Sequence, residues 1–317
     1  MSSRLLRRLP QTLPLSTPLR RAPLAFPLSR QHSTGSGTSV DPTEISHFDG
    51  LASTWWDPHG SSRLLHLMNP LRLHFIQTCL LRGTPVPPTP SARGTESVGA
   101  DPIAAVQGHR ESEEGGLRYL DIGCGGGILA EALARLKSTR SVVGVDASSG
   151  VLEVAEAHRR MDPGLVKGGR LRYENCVVEE LGGRLKGEER GGFDVVTMME
   201  VIEHVPHPHA FLYTAMSHVR PGGWLCLSTI SRSWISYLTT VFVAEDVLGI
   251  VPRGTHDWNK YLNAEELEGF FHAQKNWGSG GGMVTMGCMY LPGLGWKEVK
   301  GGEKVGNYFF GVRRDLE

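Results

Sequence analysis

Cysteine is scarce in this chain, and what there is does not pair. Cys79, Cys124, Cys176, Cys226 and Cys288 are odd in number, scattered and without a C-x-x-C spacing. That pattern argues against a disulfide framework or a zinc knuckle and predicts buried thiols in a reducing compartment. Long apolar runs are also missing. A membrane-spanning helix needs roughly 18 to 20 consecutive apolar residues. The nearest approach, 234–251, is broken by Glu245 and Asp246, so any membrane contact is expected to be peripheral. There is no internal repeat, which argues against a solenoid or propeller. Net charge is absent too, with 33 basic against 33 acidic residues, but this balance hides an uneven distribution.

Acids are absent from residues 1–33, which carry Arg4, Arg7, Arg8, Arg20, Arg21 and Arg30. Removing those six leaves 27 basic against 33 acidic residues, a net of about −6. An acidic body argues against a nucleic-acid partner. The leader itself is rich in Arg, Ser and Leu and lacks the apolar core of a secretory signal, so it resembles a mitochondrial presequence. Pro10, Pro14, Pro18, Pro23 and Pro27 restrict its amphipathic helix to about the first nine residues. Arg30-Gln31-His32-Ser33 resembles a matrix-processing site, which makes 1–32 the removable segment. The alternative is a disordered basic tail.

The remaining length, with 40% hydrophobic residues in 317 overall, suffices for one full α/β core with peripheral additions. A helical N-terminal segment is expected over 33–81. An insert follows at 82–116, where Pro85, Pro87, Pro88 and Pro90, several glycines and a charged run at 110–114 predict a poorly ordered loop. From 117 to 317, strands are expected at 118–122, 142–146, 171–175, 193–198 and 224–229. Helical spacing lies between them at 129–136, 151–160 and 209–219. This alternation predicts a parallel, doubly wound sheet. Segments 284–288 and 307–312 are expected to close it as an antiparallel pair, with loops at 278–282 and 293–302.

The most informative stretch is Leu120-Asp121-Ile122-Gly123-Cys124-Gly125-Gly126-Gly127, followed by the apolar run that ends at Asp146. An apolar strand feeds a glycine turn that lets backbone approach a ligand, and the later acid is placed to hold ribose hydroxyls. A dinucleotide fingerprint requires glycine at its first, third and sixth positions, and counted from Gly123 the sixth is Ile128. A nicotinamide dehydrogenase is therefore disfavoured. The D-x-G-x-G-x-G form instead resembles the first motif of class I methyltransferases, which bind S-adenosylmethionine. That cofactor has no phosphate and so has less need of a helix dipole.

Chemistry is expected at the carboxyl ends of the strands. There the sequence reads Met199-Glu200-Val201-Ile202-Glu203-His204-Val205-Pro206. On one helical turn Glu200, Glu203 and His204 would share a face. Two carboxylates and an imidazole suit a divalent cation such as Mg²⁺ or Zn²⁺. The alternative is a turn flanked by the two acids, with His204 bonded to backbone or acting as a base. Before the core stand Trp55-Trp56-Asp57-Pro58, which propensity alone assigns to ordinary packing, and Asn69-Pro70-Leu71-Arg72. A helix started by Pro70 would carry Arg72 toward the carboxylate of the cofactor.

These motifs combine into a more specific resemblance. Phe48, Ala52 and Trp55-Trp56-Asp57-Pro58, then His66 with Asn69-Pro70-Leu71-Arg72, then the glycine motif from Asp121 to Glu131, then Glu200 with Glu203-His204-Val205-Pro206, and finally Val251-Pro252-Arg253-Gly254-Thr255-His256-Asp257 resemble the ubiquinone-biosynthesis O-methyltransferases. The likeness runs through nearly all of 45–313, and the Pro-rich insert departs from the compact bacterial pattern. It implies an α/β fold of the class I S-adenosylmethionine-dependent methyltransferases, a Rossmann-like doubly wound sheet with a final antiparallel strand.

By the same resemblance, Arg72, Gly123, Asp146 and Met199 contact S-adenosylmethionine, joined by Asp121 and Gly125 of the motif. Glu200, Glu203 and His204 bind Mg²⁺, with His204 as the base if no metal is present. The implied substrates are polyprenylated catechols, namely a dihydroxybenzoate and demethylubiquinol. The implied setting is the matrix side of the mitochondrial inner membrane, beside other ubiquinone-biosynthesis proteins. The excursion at 232–262, with Trp234, Leu238 and Phe242 flanked by Arg232 and Arg253, is expected to cover the site and touch lipid. A core helix of the lid is the alternative there. Two other functions stay open: a methyltransferase acting on another small phenolic acceptor, and a non-catalytic subunit that keeps the fold.

Overall fold

A computed structural model describes residues 39–60, 62–82, 116–233 and 261–316, all within one compact unit. The expected leader at 1–32, nearly all of the insert at 82–116 and most of the excursion at 232–262 lie outside the described residues, as does the 251–257 motif.

The chain opens with two helices, α1 (Pro42–Leu51) and α2 (Arg63–Arg82). Asp41 caps the first by accepting from the Thr43 amide at 2.9 Å, with Pro42 in the first turn where its missing N–H costs nothing. Pro70 does not start the second helix, as the sequence suggested. It sits inside it, because the carbonyl of Ser62 already accepts from the amides of Leu65 and His66 and sets the start earlier. Proline within a helix leaves one carbonyl of the preceding turn without its usual donor, a cost that packing of Met68, Arg72, Phe75 and Ile76 overrides here.

The core alternates strand and helix: β1 (Leu117–Ile122), α3 (Ile128–Arg135), β2 (Thr139–Asp146), α4 (Ser149–Met161), α5 (Pro163–Gly168), β3 (Leu171–Asn175), β4 (Phe193–Met199), α6 (Pro208–Ser217) and β5 (Val219–Ile230). It then continues through α7 (Ala264–His272), β6 (Met283–Leu291), β7 (Gly295–Glu298) and β8 (Asn307–Arg313). These strands form one eight-stranded sheet in the order β3-β2-β1-β4-β5-β8-β6-β7. The first five are parallel, and β8 inserts antiparallel between β5 and β6, pairing Leu227 with Phe310 on one side and Met286 with Phe309 on the other. The expected loop at 293–302 contains a further strand, β7, which returns antiparallel on β6.

Strand residues alternate between two cores. Leu120, Val143, Val196 and Leu225 face α6 and α7, whereas Tyr119, Val142, Val195 and Trp224 face α2 and α3. Both faces are therefore buried, which explains the near-continuous apolar runs of β2 and β4. All five cysteines are buried and free. The strand order reverses between β1 and β4, and at such a reversal a crevice opens beyond the carboxyl ends of the strands.

Candidate active site

That crevice is a cavity of about 650 Å³. β1 delivers Asp121 to it, β2 Asp146, β4 Met199 and Glu200, and the turn after β4 supplies Glu203 and His204. The glycine loop forms its floor. Gly125 has φ +52°, and any Cβ there or at Gly126 would enter the indole of Trp55. Trp56 donates its indole N–H to the carbonyl of Gly126 at 2.9 Å and stacks on His158. His66 Nε2 donates to the carbonyl of Trp55 at 2.8 Å, and the Asn69 amide donates to the carbonyl of Ile128 at 3.2 Å. The tryptophan pair does pack as expected, with Trp55 buried against the glycine loop and Trp56 bonded to it, and the Asn-Pro-Leu-Arg segment is fastened to the first residue of α3.

The two acids expected to bind cofactor are held differently. Asp146 accepts from the amides of Gly125 and Ser148, each at 2.9 Å, so its carboxylate is oriented while part of its acceptor capacity stays open. Burial pushes its pKa up, and those amides oppose the shift. Asp121 is 2% exposed and accepts from Thr197 Oγ1 at 2.6 Å. Burial dominates there and raises its pKa to about 6, against the hydroxyl and the Arg72 charge. Arg72 is 5% exposed and gives Nη2 to Glu200 Oε2 at 3.2 Å, while its buried Nε has no hydrogen-bond partner among the described residues. An unspent donor on a buried guanidinium beside a cavity is suited to an incoming carboxylate.

Glu200, Glu203 and His204 do not share a helical turn. Glu200 has φ +57°, a left-handed conformation uncommon outside glycine, and the short 3₁₀ turn begins only at Ile202. The bend is held by Ser228, whose carbonyl and Oγ both accept from the Glu200 amide while its hydroxyl donates to Glu200 Oε1 at 2.6 Å. Glu203 is buried and accepts from Thr229 Oγ1 at 3.0 Å. Burial, reinforced by the Glu200 charge and opposed by His204, pushes it up to about 7. His204 Nδ1 lies 3.1 Å from Glu44 Oε2 on α1, not on backbone. The three side chains line one cavity but engage separate partners, and among the described residues no three His, Cys, Asp or Glu side chains converge on a common metal position.

Sequence reasoning missed Glu44, Thr197, Ser228 and Thr229. The hydroxyls sit on β4 and β5 at positions that look like ordinary strand residues. Glu44 lies 160 positions from its partner. Part of the cavity lining is apolar, with Leu64 and Leu65 of α2 beside Met289, Tyr290 and Trp296 of the β6–β7 hairpin. Trp296 Nε1 fastens that part by donating to the carbonyl of Leu64 at 3.0 Å.

A parallel α/β sheet with an inserted antiparallel strand and a glycine loop beneath the cavity is the fold of a methyltransferase. Residues 95–274 match the family model described as a methyltransferase domain. Among solved structures, the plantazolicin methyltransferase BpumL in complex with SAH aligns with TM-score 0.50 at 13% identity, covering 86% of this chain and 97% of that one. At that identity the likeness shows the fold. The sequence relatives are more specific. The mitochondrial ubiquinone biosynthesis O-methyltransferase of Candida albicans is 39% identical, over 89% of this chain and 88% of its own. That of Schizosaccharomyces pombe is 44% identical over 75% and 73%. The ubiquinone biosynthesis O-methyltransferase of Methylobacterium sp. is 36% identical over 89% and 98%. The chain belongs to the ubiquinone biosynthesis O-methyltransferase family. Among the described residues no helix is long and apolar enough to cross a membrane.

Proposed function

We propose that the chain transfers the methyl group of S-adenosylmethionine to a catechol hydroxyl of a polyprenylated ring, acting on polyprenyl-dihydroxybenzoate and on demethylubiquinol. One observation carries the proposal: a single cavity joins Asp121 and Asp146 to Glu200, Glu203 and His204 through the half-partnered Arg72. Arg72 would hold the carboxylate of the cofactor through its spare Nε, and Asp121 would face its ammonium. Asp146 would take the ribose hydroxyls, Gly123 and Gly125 would admit it closely, and Met199 would cover the adenine. The apolar lining from α2 and the β6–β7 hairpin suits the ring and the start of its tail.

Methyl transfer from a sulfonium to oxygen is an in-line displacement. The O–C bond forms as the S–C bond breaks, and alignment within the site supplies much of the rate. The acceptor hydroxyl must first lose its proton, and a phenol holds it up to a pKa of about 10. Without a bound metal His204 would take that proton, with Glu44 accepting from its other ring nitrogen. The donor set of Glu200, Glu203 and His204 has the chemistry for Mg²⁺. Burial is the main cause of the raised pKa of Glu203, and the Glu200 charge adds to it. These three residues would hold such a cation, which supplies stabilisation of the acceptor oxyanion.

Location follows from the same proposal: a peripheral enzyme on the matrix side of the mitochondrial inner membrane, beside other ubiquinone-biosynthesis proteins. The Arg-rich leader and the mitochondrial relatives support it. The test is methyl transfer from labelled S-adenosylmethionine to a short-chain demethylubiquinol by the full-length chain, with and without Mg²⁺. Turnover is expected, and it should depend on the metal. Cofactor binding with no turnover on either catechol would overturn the proposal in favour of another acceptor or a non-catalytic role.

A further inference from the structure

Helix α1 is an unusual element to find beside a catalytic cavity. None of its ten residues is buried, yet it touches the site at two separated points. Asp49 accepts from Ser148 Oγ at the start of α4, two residues from Asp146. One turn away, Glu44 Oε2 accepts from His204 Nδ1 at 3.1 Å, and Phe48 sets its ring edge-on to the same imidazole, 5.2 Å between centroids at 80°. Glu44 and Phe48 are four apart and therefore lie on one helical face. Together they grip His204 by a nitrogen and by an edge.

We propose that Glu44 is a positioning residue that, with Phe48, fixes the tautomer and orientation of His204. A carboxylate can only accept, so in the neutral imidazole the proton sits on Nδ1 and the lone pair on Nε2. A lone pair on Nε2 serves His204 whether it takes a proton from the acceptor or ligates a cation. The contact resembles the carboxylate partners that orient metal-bound histidines, whose loss costs about 10- to 100-fold. Glu44 and His204 are 25% and 19% exposed, so the pair is sheltered enough for orientation to matter more than surface charge. The proposal rests on the assignment of His204 to the reaction centre. The contribution is also distant: a helix at the start of the described chain completes a turn that follows β4.

The test uses the full-length chain labelled with ¹⁵N in its histidines. Long-range proton–nitrogen correlation reports each tautomer, and the His204 signals are assigned by their loss in His204→Gln. In the parent protein at pH 8, His204 is expected as the Nδ1–H tautomer. Glu44→Ala should shift it toward a mixture and lower kcat about 10- to 100-fold, with KM for S-adenosylmethionine within about twofold. Glu44→Gln keeps an acceptor oxygen and should retain the tautomer and most of the rate. A parent His204 in the Nε2–H form overturns the proposal without recourse to any variant. So does a folded Glu44→Ala with unchanged tautomer and kcat. Because the tautomer is read without an acceptor, failure here is separable from failure of the proposed substrate class.

Discussion

Asp121 shows how much one residue's surroundings decide. Its pKa is raised by burial, so the folded state holds this proton more tightly than the unfolded chain does. Its contribution to stability is full below about pH 4 and is lost as pH rises through about 6, on the order of 3 kcal/mol in all. Asp121→Asn should therefore gain stability relative to the parent between pH 4 and pH 7, read from urea unfolding at each pH. A parallel pair of curves would show that burial has no such effect. Arg72→Lys keeps the charge but loses the fork, so KM for S-adenosylmethionine should rise roughly 10-fold or more with a smaller change in kcat. An unchanged KM would separate Arg72 from the cofactor. Both residues were legible in the sequence, Asp121 by its place before a glycine turn and Arg72 by the family motif. Their electrostatics were not, because the pairing of Arg72 with Glu200 spans 128 positions.

At the scale of elements, the N-terminal helices and the glycine loop are one assembly. Trp55 fills the space that side chains at Gly125 and Gly126 would need, and Trp56 bonds the loop directly. Trp55→Ala should destabilise the protein by about 3 to 5 kcal/mol, the usual range for deleting a buried aromatic, and should weaken cofactor binding as well. Thermal unfolding and calorimetric titration with S-adenosylmethionine check the two parts. A variant that lost stability but bound normally would reduce Trp55 to packing. The strands β2 and β4 could be read from near-continuous apolar runs because both faces of the sheet are buried there. β7 could not, since Gly293, Gly295, Gly301 and Gly302 mark turns whether or not a short strand lies among them. The helix α7 was missed for a different reason: it is only nine residues long, and its start signal, the Asn263 and Glu266 capping box, was not weighed beside the excursion that precedes it.

For the whole molecule, the sheet order, the cavity and the family agree on methyl transfer. Prolonged chelation followed by gel filtration should abolish turnover of demethylubiquinol, and Mg²⁺ should restore it. Full activity in the metal-free protein would remove the cation from the proposal and leave His204 as the base. The membrane contact expected from the sequence for 232–262 predicts that changing Leu238 and Phe242 to Ser lowers binding to cardiolipin-containing vesicles while the thermal transition stays unchanged. Equal binding by parent and variant would point to the lid-helix alternative. Fold class was readable from pattern alone, whereas the site was readable only as a set of parts. Local spacing suggested a helical turn for Glu200, Glu203 and His204, but the left-handed bend at Glu200 depends on Ser228, a strand away.

The placement of Trp55 also makes the loop observable. Its buried indole N–H has no hydrogen-bond partner among the described residues, and its ring lies directly on the glycine loop. Indole emission shifts with the polarity and contacts of the ring, so a change at this loop alters the protein's own fluorescence. Comparison with Trp55→Phe isolates that signal from the other six tryptophans. With the cofactor on this loop as proposed, Trp55 would serve as a built-in optical reporter of its binding, requiring neither label nor acceptor.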